Sequence, residues 1–338
     1  MKFTNLKIYY FLIFSNNLWF ITSNWLNFWL KYMSLKEVGI IDALAFLLGI
    51  LLEFPSGLLS DKLGRKQTLL LSQSVQFLGS FLILFATNLF EIGLGFVIFQ
   101  IGVAFFSGTI ESFGYESSIK ERKDYDEVLV ISGYFTNFAY LIALILGGYL
   151  YTFNNNYPNL LFAFNFLLGI IPVLLIYELK SEIVPEDIDN LYLKKFNLYI
   201  VGLFVLLMTV SFTFDYGFLK LFILEKFSSL ENNYWFIFGS TLVSLIISSW
   251  FLKKIKSFFI PLFTSFVLVI VGFLLTFLSF LPLFFILSFL AVFIYQLSLK
   301  YINDKVPDSS RASIISLLNL LYKLPYVLIA LILGYNLG

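Results

Sequence analysis

A chain of 338 residues that is 59% hydrophobic and 13% charged lacks the surface of a water-soluble fold, in which about a quarter of residues carry charge. Its net charge of +1 gives no argument for nucleic acid or an acidic partner. The absence of Cys and His excludes disulfides, thiol nucleophiles, thiolate or imidazole metal sites and imidazole proton relays; no metal or other cofactor is expected.

Apolar runs of about twenty residues recur instead, enough to cross a ~30 Å hydrocarbon core at 1.5 Å per residue. The chain is therefore predicted to be an all-α, polytopic membrane protein. Eleven spans are predicted in chain order, over residues 8–30, 38–59, 68–88, 91–117, 127–151, 159–178, 197–219, 232–252, 258–277, 281–300 and 312–334. The first is longer than the ~7–15-residue apolar core of a secretory signal, and no small-residue cleavage site follows. It is read as a retained span whose Asn16, Asn17, Trp19, Asn24 and Trp25 can line a cavity. The second span holds Asp42 and Glu53, the fourth Glu111, the seventh Asp215, the tenth Tyr295 and Gln296, and the eleventh Lys323. An ionisable side chain in a span costs ~2.5–3.5 kcal/mol on insertion scales, so each is a candidate for substrate or proton work. Lys323 is the sharpest, because it sits near the midplane beside Pro325. Glu111 and Asp215 are its candidate partners, and snorkelling toward an interface is the plain alternative.

The longest polar connection, 178–196, separates six spans from five. The expected units are an N-terminal six-helix bundle (1–179), a cytoplasmic loop (180–195) and a C-terminal bundle of five helices (196–338). The sequence of 141–147 recurs at 328–334, in spans five and eleven, at an offset of 187 residues. That spacing fits two halves built on one six-span plan. It also places the partner of span six beyond Gly338, so a twelfth helix is expected to be missing from a truncated chain.

Lys and Arg segregate between the two sides. With the N-terminus inside, seventeen fall on inner segments and four on outer loops, these being Lys31, Lys36, Lys220 and Lys226. The positive-inside bias repeats at every inner loop. A cytoplasmic N-terminus and a plasma-membrane location are expected.

Between spans two and three stands Gly57-Leu58-Leu59-Ser60-Asp61-Lys62-Leu63-Gly64-Arg65-Lys66. This run resembles the signature loop of the major facilitator superfamily at every defined position, and Glu53-Phe54-Pro55-Ser56 resembles its lead-in. Ser107-Gly108-Thr109-Ile110-Glu111 with Tyr115-Glu116-Ser117 resembles a stretch of drug-efflux-like prokaryotic members. Asp308, Arg311, Ala312 and Ser316 resemble the opening of span eleven. The resemblance implies two bundles around a midplane cavity, working by rocking-bundle alternating access. It further implies that Gly57, Asp61, Gly64, Arg65, Lys66 and Glu116 form a latch that holds the halves together in the outward-facing state. Gly57 would let a neighbouring helix approach, Gly64 would turn the chain, and Arg65 would pair with Glu116. The cavity candidates are Glu111, Lys323, Asp215, Asn24, Trp25, Tyr115 and Gln296.

Two departures matter. Ile98 stands where many antiporters carry a span-four arginine, and Leu144 where they carry the proline of a Gly-Pro motif. Proton coupling thus follows from the resemblance and not from these residues. The expected activity is secondary transport of a small solute, as proton-coupled efflux, by a monomer in the bilayer. A cationic or amphipathic solute suits the acidic and aromatic residues, while sugars and metabolites stay open. No catalytic residue is expected. The alternatives are a non-transporting sensor or assembly factor of the same fold, and an intramembrane enzyme, for which Ser107 near Glu111 offers no convincing nucleophile–base spacing.

Overall fold

The computed structural model describes residues 4–22 and 24–177, with 205, 209, 321, 323–328, 330 and 331. Most of the seventh to eleventh predicted spans and the 178–196 connection lie outside the described residues. The chain divides into two compact units, Met1–Glu182 with Ala330–Gly338, and Ile183–Ile329. Among the described residues the first unit is all helix: α1 (Asn5–Asn16), α2 (Trp25–Trp29), α3 (Leu35–Leu63), α4 (Arg65–Phe85), α5 (Leu89–Lys120), α6 (Tyr125–Phe153) and α7 (Tyr157–Leu174). Helices α4, α5 and α7 and residues Ile131–Phe153 of α6 are each long and apolar enough to cross a membrane, and the two segments of bent α3 are so when taken together. This is the architecture of a multi-pass membrane protein.

Local chemistry sets the helix boundaries. Ser34 and Glu37 form a capping box at the start of α3, with the Ser34 amide donating to Glu37 Oε2 at 2.7 Å. Asn88 Oδ1 accepts the Glu91 amide at 3.0 Å and opens α5 in the same manner. Within α3 the axis turns by 47° between Leu35–Glu53 and Pro55–Leu63. Pro55 supplies the cause, because it has no N–H and its ring crowds the carbonyl one turn back. Beside the bend, the Ser56 hydroxyl lies 2.9 Å from the Ala104 carbonyl and fastens α3 to α5.

Among the described residues α4 and α5 share the most extensive helix contact, made through glycines. A Cβ built at Gly79 would fall 2.6 Å from the Gly95 carbonyl and 2.7 Å from Phe99 Cα; one at Gly102 would fall 2.7 Å from the Gln76 amide. With no hydrophobic drive between helices in lipid, such backbone approach is what gives packing its strength. The Ser72 hydroxyl donates to the Gly102 carbonyl at 2.9 Å across this seam. Leu12, Leu69, Phe113 and Val173, from α1, α4, α5 and α7, are wholly buried in one apolar cluster at the Gly64 end of the unit.

The first predicted span needs correction. Residues 8–30 are not one helix: α1 stops at Asn16, turns occupy the residues that follow, and α2 resumes at Trp25. Hydropathy sees only side chains, whereas the break is decided by who satisfies the freed backbone groups. Trp19 Nε1 donates to the Asn16 carbonyl at 2.7 Å and Asn17 Nδ2 to the Ile13 carbonyl at 2.7 Å. Asn165 of α7 donates to the Ser15 carbonyl. Gly147 of α6 leaves room for the Phe20 carbonyl, which a Cβ there would strike. These partners let a break persist inside lipid.

Candidate functional site

The signature loop is a turn of one residue between two helices. Gly64 has φ +91°, a backbone state that favours glycine, and it turns the last residue of α3 directly into the first of α4. That turn places Arg65 over the final turn of α3 and against the end of α5. Its Nη1 lies 2.8 Å from Asp61 Oδ1 and 2.7 Å from Ser60 Oγ, while Nε and Nη2 each lie 2.9 Å from Glu116 Oε1. Arg65 and Glu116 are largely buried, with side chains 18% and 6% exposed, whereas Asp61 is 64% exposed. The guanidinium fork suits this task because its donors diverge in one plane toward three acceptors. Among the described residues the buried Glu116 Oε2 has no hydrogen-bond partner, so the carboxylate relies there on Arg65.

Lys66 does a different job. Its Nζ donates to the carbonyls of Leu174 and Ile176 at 2.8 and 3.0 Å, placing a cation on the C-terminal end of α7. Nearby, the Asn5 side chain exchanges hydrogen bonds with the Tyr177 backbone at 2.9 and 3.1 Å, and the Leu6 amide donates to Glu121 Oε1 at 2.9 Å. The loop end of α1, α4, α5 and α7 is thereby tied together. Lys66→Ala is expected to lower thermal stability in detergent by about 1 kcal/mol, read as a melting shift, with Lys66→Arg retaining most of the wild-type value. Ser60, Asn5, Glu121 and Tyr177 were not singled out by sequence; only the serine's place inside the signature run hinted at a role. The expected close neighbour of Gly57 is not among the described residues, since nothing there lies within 4 Å of a Cβ built on it.

A second constellation surrounds Glu111. On α5, Glu111 is half-buried and Tyr115, one turn on, is 45% exposed. The Tyr125 hydroxyl donates to the Glu111 carbonyl at a long 3.5 Å, and the Tyr115 and Tyr125 rings meet edge-on at 5.2 Å. Buried Tyr9 of α1 hydrogen-bonds with Ser132 of α6 and lies within electrostatic reach of Glu111. Gly114 makes room for it, as a Cβ there would fall 2.5 Å from the Tyr9 ring. At the mouth of α6, burial pushes the Tyr125 phenol up, and Tyr9, Glu111 and Tyr115 push the same way. It therefore remains a neutral donor at physiological pH.

The other candidates fall elsewhere. Asn24 is buried, its Nδ2 3.4 Å from the Gly147 carbonyl, and Trp25 meets Trp29 at 5.1 Å. Lys323 is half-buried in the helical residues 323–328. Asp215, Tyr295 and Gln296 lie outside the described residues.

A sequence profile of the Major Facilitator Superfamily matches residues 8–330. The chain belongs to the major facilitator superfamily. No curated protein sequence matches it. Among solved structures, this superfamily chain is similar to the nucleoside transporter NupG in a mutant form (16% identity, TM-score 0.72, covering 98% of this chain and 90% of that one). It is also similar to a D-xylose–proton symporter (12% identity, TM-score 0.70, 97% and 88% covered). A third similar structure is a bacterial homolog of the human lysosomal transporter Spinster, inward-facing and occupied (15% identity, TM-score 0.69, 98% and 79% covered). At these identities the likeness concerns the fold. With the family and the apolar helices, it makes this major facilitator superfamily member a secondary transporter of a small molecule in a membrane, not an enzyme.

Proposed function

We propose that the protein exports a small solute across the plasma membrane by proton-coupled alternating access, in the manner of the drug-efflux-like members that its Ser107–Glu111 stretch resembles. The observation that carries the reading is the Arg65 cluster, in which one guanidinium holds the ends of α3 and α5 at a single-residue turn. Bundles 1–179 and 196–338 act as rigid bodies joined by the 180–195 loop. Asp61, mostly exposed beside Arg65, is the group through which the latch engages and releases. In this reading Glu111 and Tyr115 belong to the substrate path, and Lys323, Asp215 and Gln296 are the further candidates that the sequence offers for it. Asn24 and Trp25 brace the broken first span that borders it.

A carboxylate within a span is a candidate proton carrier, because charge there is tolerated only where it has a task. In proteoliposomes with an imposed pH gradient, solute flux is expected to follow that gradient and to fall at least tenfold in Glu111→Gln. Flux that ignores the gradient, or is untouched by the substitution, would sink proton coupling through Glu111.

The inner placement of the loop rests on the segregation of Lys and Arg. Because the chain contains no cysteine, Lys62→Cys provides a single thiol in the loop itself. Impermeant maleimide is expected to label it in inside-out vesicles and to leave it unlabelled in intact cells; labelling from outside would invert the topology.

A further inference from the structure

Four ties at the Gly64 end of the unit close into a ring. Arg65, the first residue of α4, pairs with Glu116 of α5 at 2.9 Å. Glu121, just past the end of α5, accepts the Leu6 amide of α1 at 2.9 Å. Asn5, next to Leu6, grips the Tyr177 backbone with both ends of its amide, at 2.9 and 3.1 Å. Ile176, next to Tyr177, gives its carbonyl to Lys66 at 3.0 Å, and Lys66 adjoins Arg65. The circuit thus returns to its start after passing through α4, α5, α1 and the residues that follow α7.

Its corners are fixed by local chemistry. Past α5 the chain makes a Schellman turn, in which the Arg122 amide donates to the Ile119 carbonyl at 3.1 Å and the Lys123 amide to the Ser118 carbonyl at 2.9 Å. Arg122 takes φ +54° to do so, a left-handed state that a residue with a Cβ enters at a cost. That turn holds the backbone of Glu121 in place beside α1. Leu6 and Ile176 carry ring bonds on their backbones and bury their side chains in one apolar cluster with Leu69 and Phe113. A cavity of about 170 Å³ borders Gly64, Arg65, Lys66, Phe113 and Ile176, which gives the Arg65–Lys66 corner room to move. Among the described residues neither Asn5 nor Glu121 bonds to Arg65. In an open row of ties each would act alone. In a closed one every helix end is held from two sides, and the loss of one tie leaves its neighbours with a free end. We infer that Asn5 and Glu121 are positioning residues of the Arg65 latch and act on it through this ring. The inference rests on the latch reading above and extends it to the point where the chain leaves α7.

The Leu6 and Tyr177 amides are themselves donors in the ring, so hydrogen exchange on the purified full-length chain reads it without any transport. Glu121→Ala removes only the Leu6 tie, yet exchange at Tyr177 is expected to quicken roughly fivefold or more. Arg65→Ala, which removes neither bond, should quicken Leu6 and Tyr177 alike. Glu121→Gln keeps an acceptor oxygen and should exchange as wild type does. Glu121→Ala and Lys66→Ala, at opposite corners, should together lower melting little more than the worse of the two, whereas independent ties would add. Counterflow of labelled organic cations, nucleosides or sugars should slow in Glu121→Ala and Asn5→Ala and recover in Glu121→Gln. Exchange that changes at Leu6 alone in Glu121→Ala, or melting shifts that add, overturns the inference, as does counterflow untouched by Glu121→Ala. Wild-type counterflow without spread of exchange would leave the transporter standing and remove the ring. Spread of exchange with no counterflow of any solute would keep the ring and remove the transporter.

Discussion

Arg65→Ala is expected to destabilise the protein more than any other single change in the signature loop. The substitution strands Glu116, whose side chain is 6% exposed and whose Oε2 has no hydrogen-bond partner among the described residues. Removing one member of a buried pair typically costs ~3–5 kcal/mol, and the lower end applies because Arg65 keeps 18% of its side chain exposed. Arg65→Lys is expected to recover only part of the loss, since an ammonium cannot reach Ser60, Asp61 and Glu116 from one planar fork. Glu116→Gln should be milder than Arg65→Ala, as its amide oxygen still accepts from the guanidinium. Thermal unfolding in detergent measures all three. Equal melting of Arg65→Ala and wild type would show that the cluster does not hold α3, α4 and α5 together.

The second large effect is expected at Gly79. Added carbon there meets backbone, not a side chain that can rotate away: the Gly95 carbonyl and Phe99 Cα lie 2.6 and 2.7 Å from the new Cβ. Helices α4 and α5 must separate, and the Ser72–Gly102 hydrogen bond across the seam is strained with them. Gly79→Ala is expected to cost roughly 1–3 kcal/mol as an overpacking change, and Gly79→Leu to prevent assembly of the unit. Gly133 of α6 is the control. Among the described residues nothing lies within 4 Å of its Cβ, so Gly133→Ala should be neutral or stabilise by up to about 1 kcal/mol through helix propensity. If the two alanine variants behaved alike, close backbone packing would not be the source of stability at Gly79.

What could be read from sequence was whatever lay close in the chain or inside a fixed motif. The glycine turn and the reach of Arg65 toward Glu116 were what the resemblance of the signature run implied. Helices α3 to α7 lie near their predicted spans, because twenty apolar residues in lipid have few alternatives to a helix. The break after Asn16 was not legible. It depends on Asn165 and Gly147, more than a hundred residues away, which satisfy or admit backbone atoms that hydropathy does not count. The glycine seam between α4 and α5 was hidden for a related reason: a glycine in an apolar run looks the same whether it faces lipid or another backbone. The grouping of Tyr9, Tyr125 and Ser132 around Glu111 likewise required knowing which helix faces meet. Glu111 and Tyr115 stood out through the stretch they share; Tyr9 and Tyr125 were lost among 20 tyrosines.

The most direct test of transport itself is counterflow in proteoliposomes loaded with a panel of organic cations, nucleosides and sugars. Wild-type protein is predicted to exchange at least one labelled solute saturably, with Arg65→Ala slowing exchange at equal reconstituted amounts. Folded, reconstituted protein that exchanged none of the panel faster than empty vesicles would contradict the account.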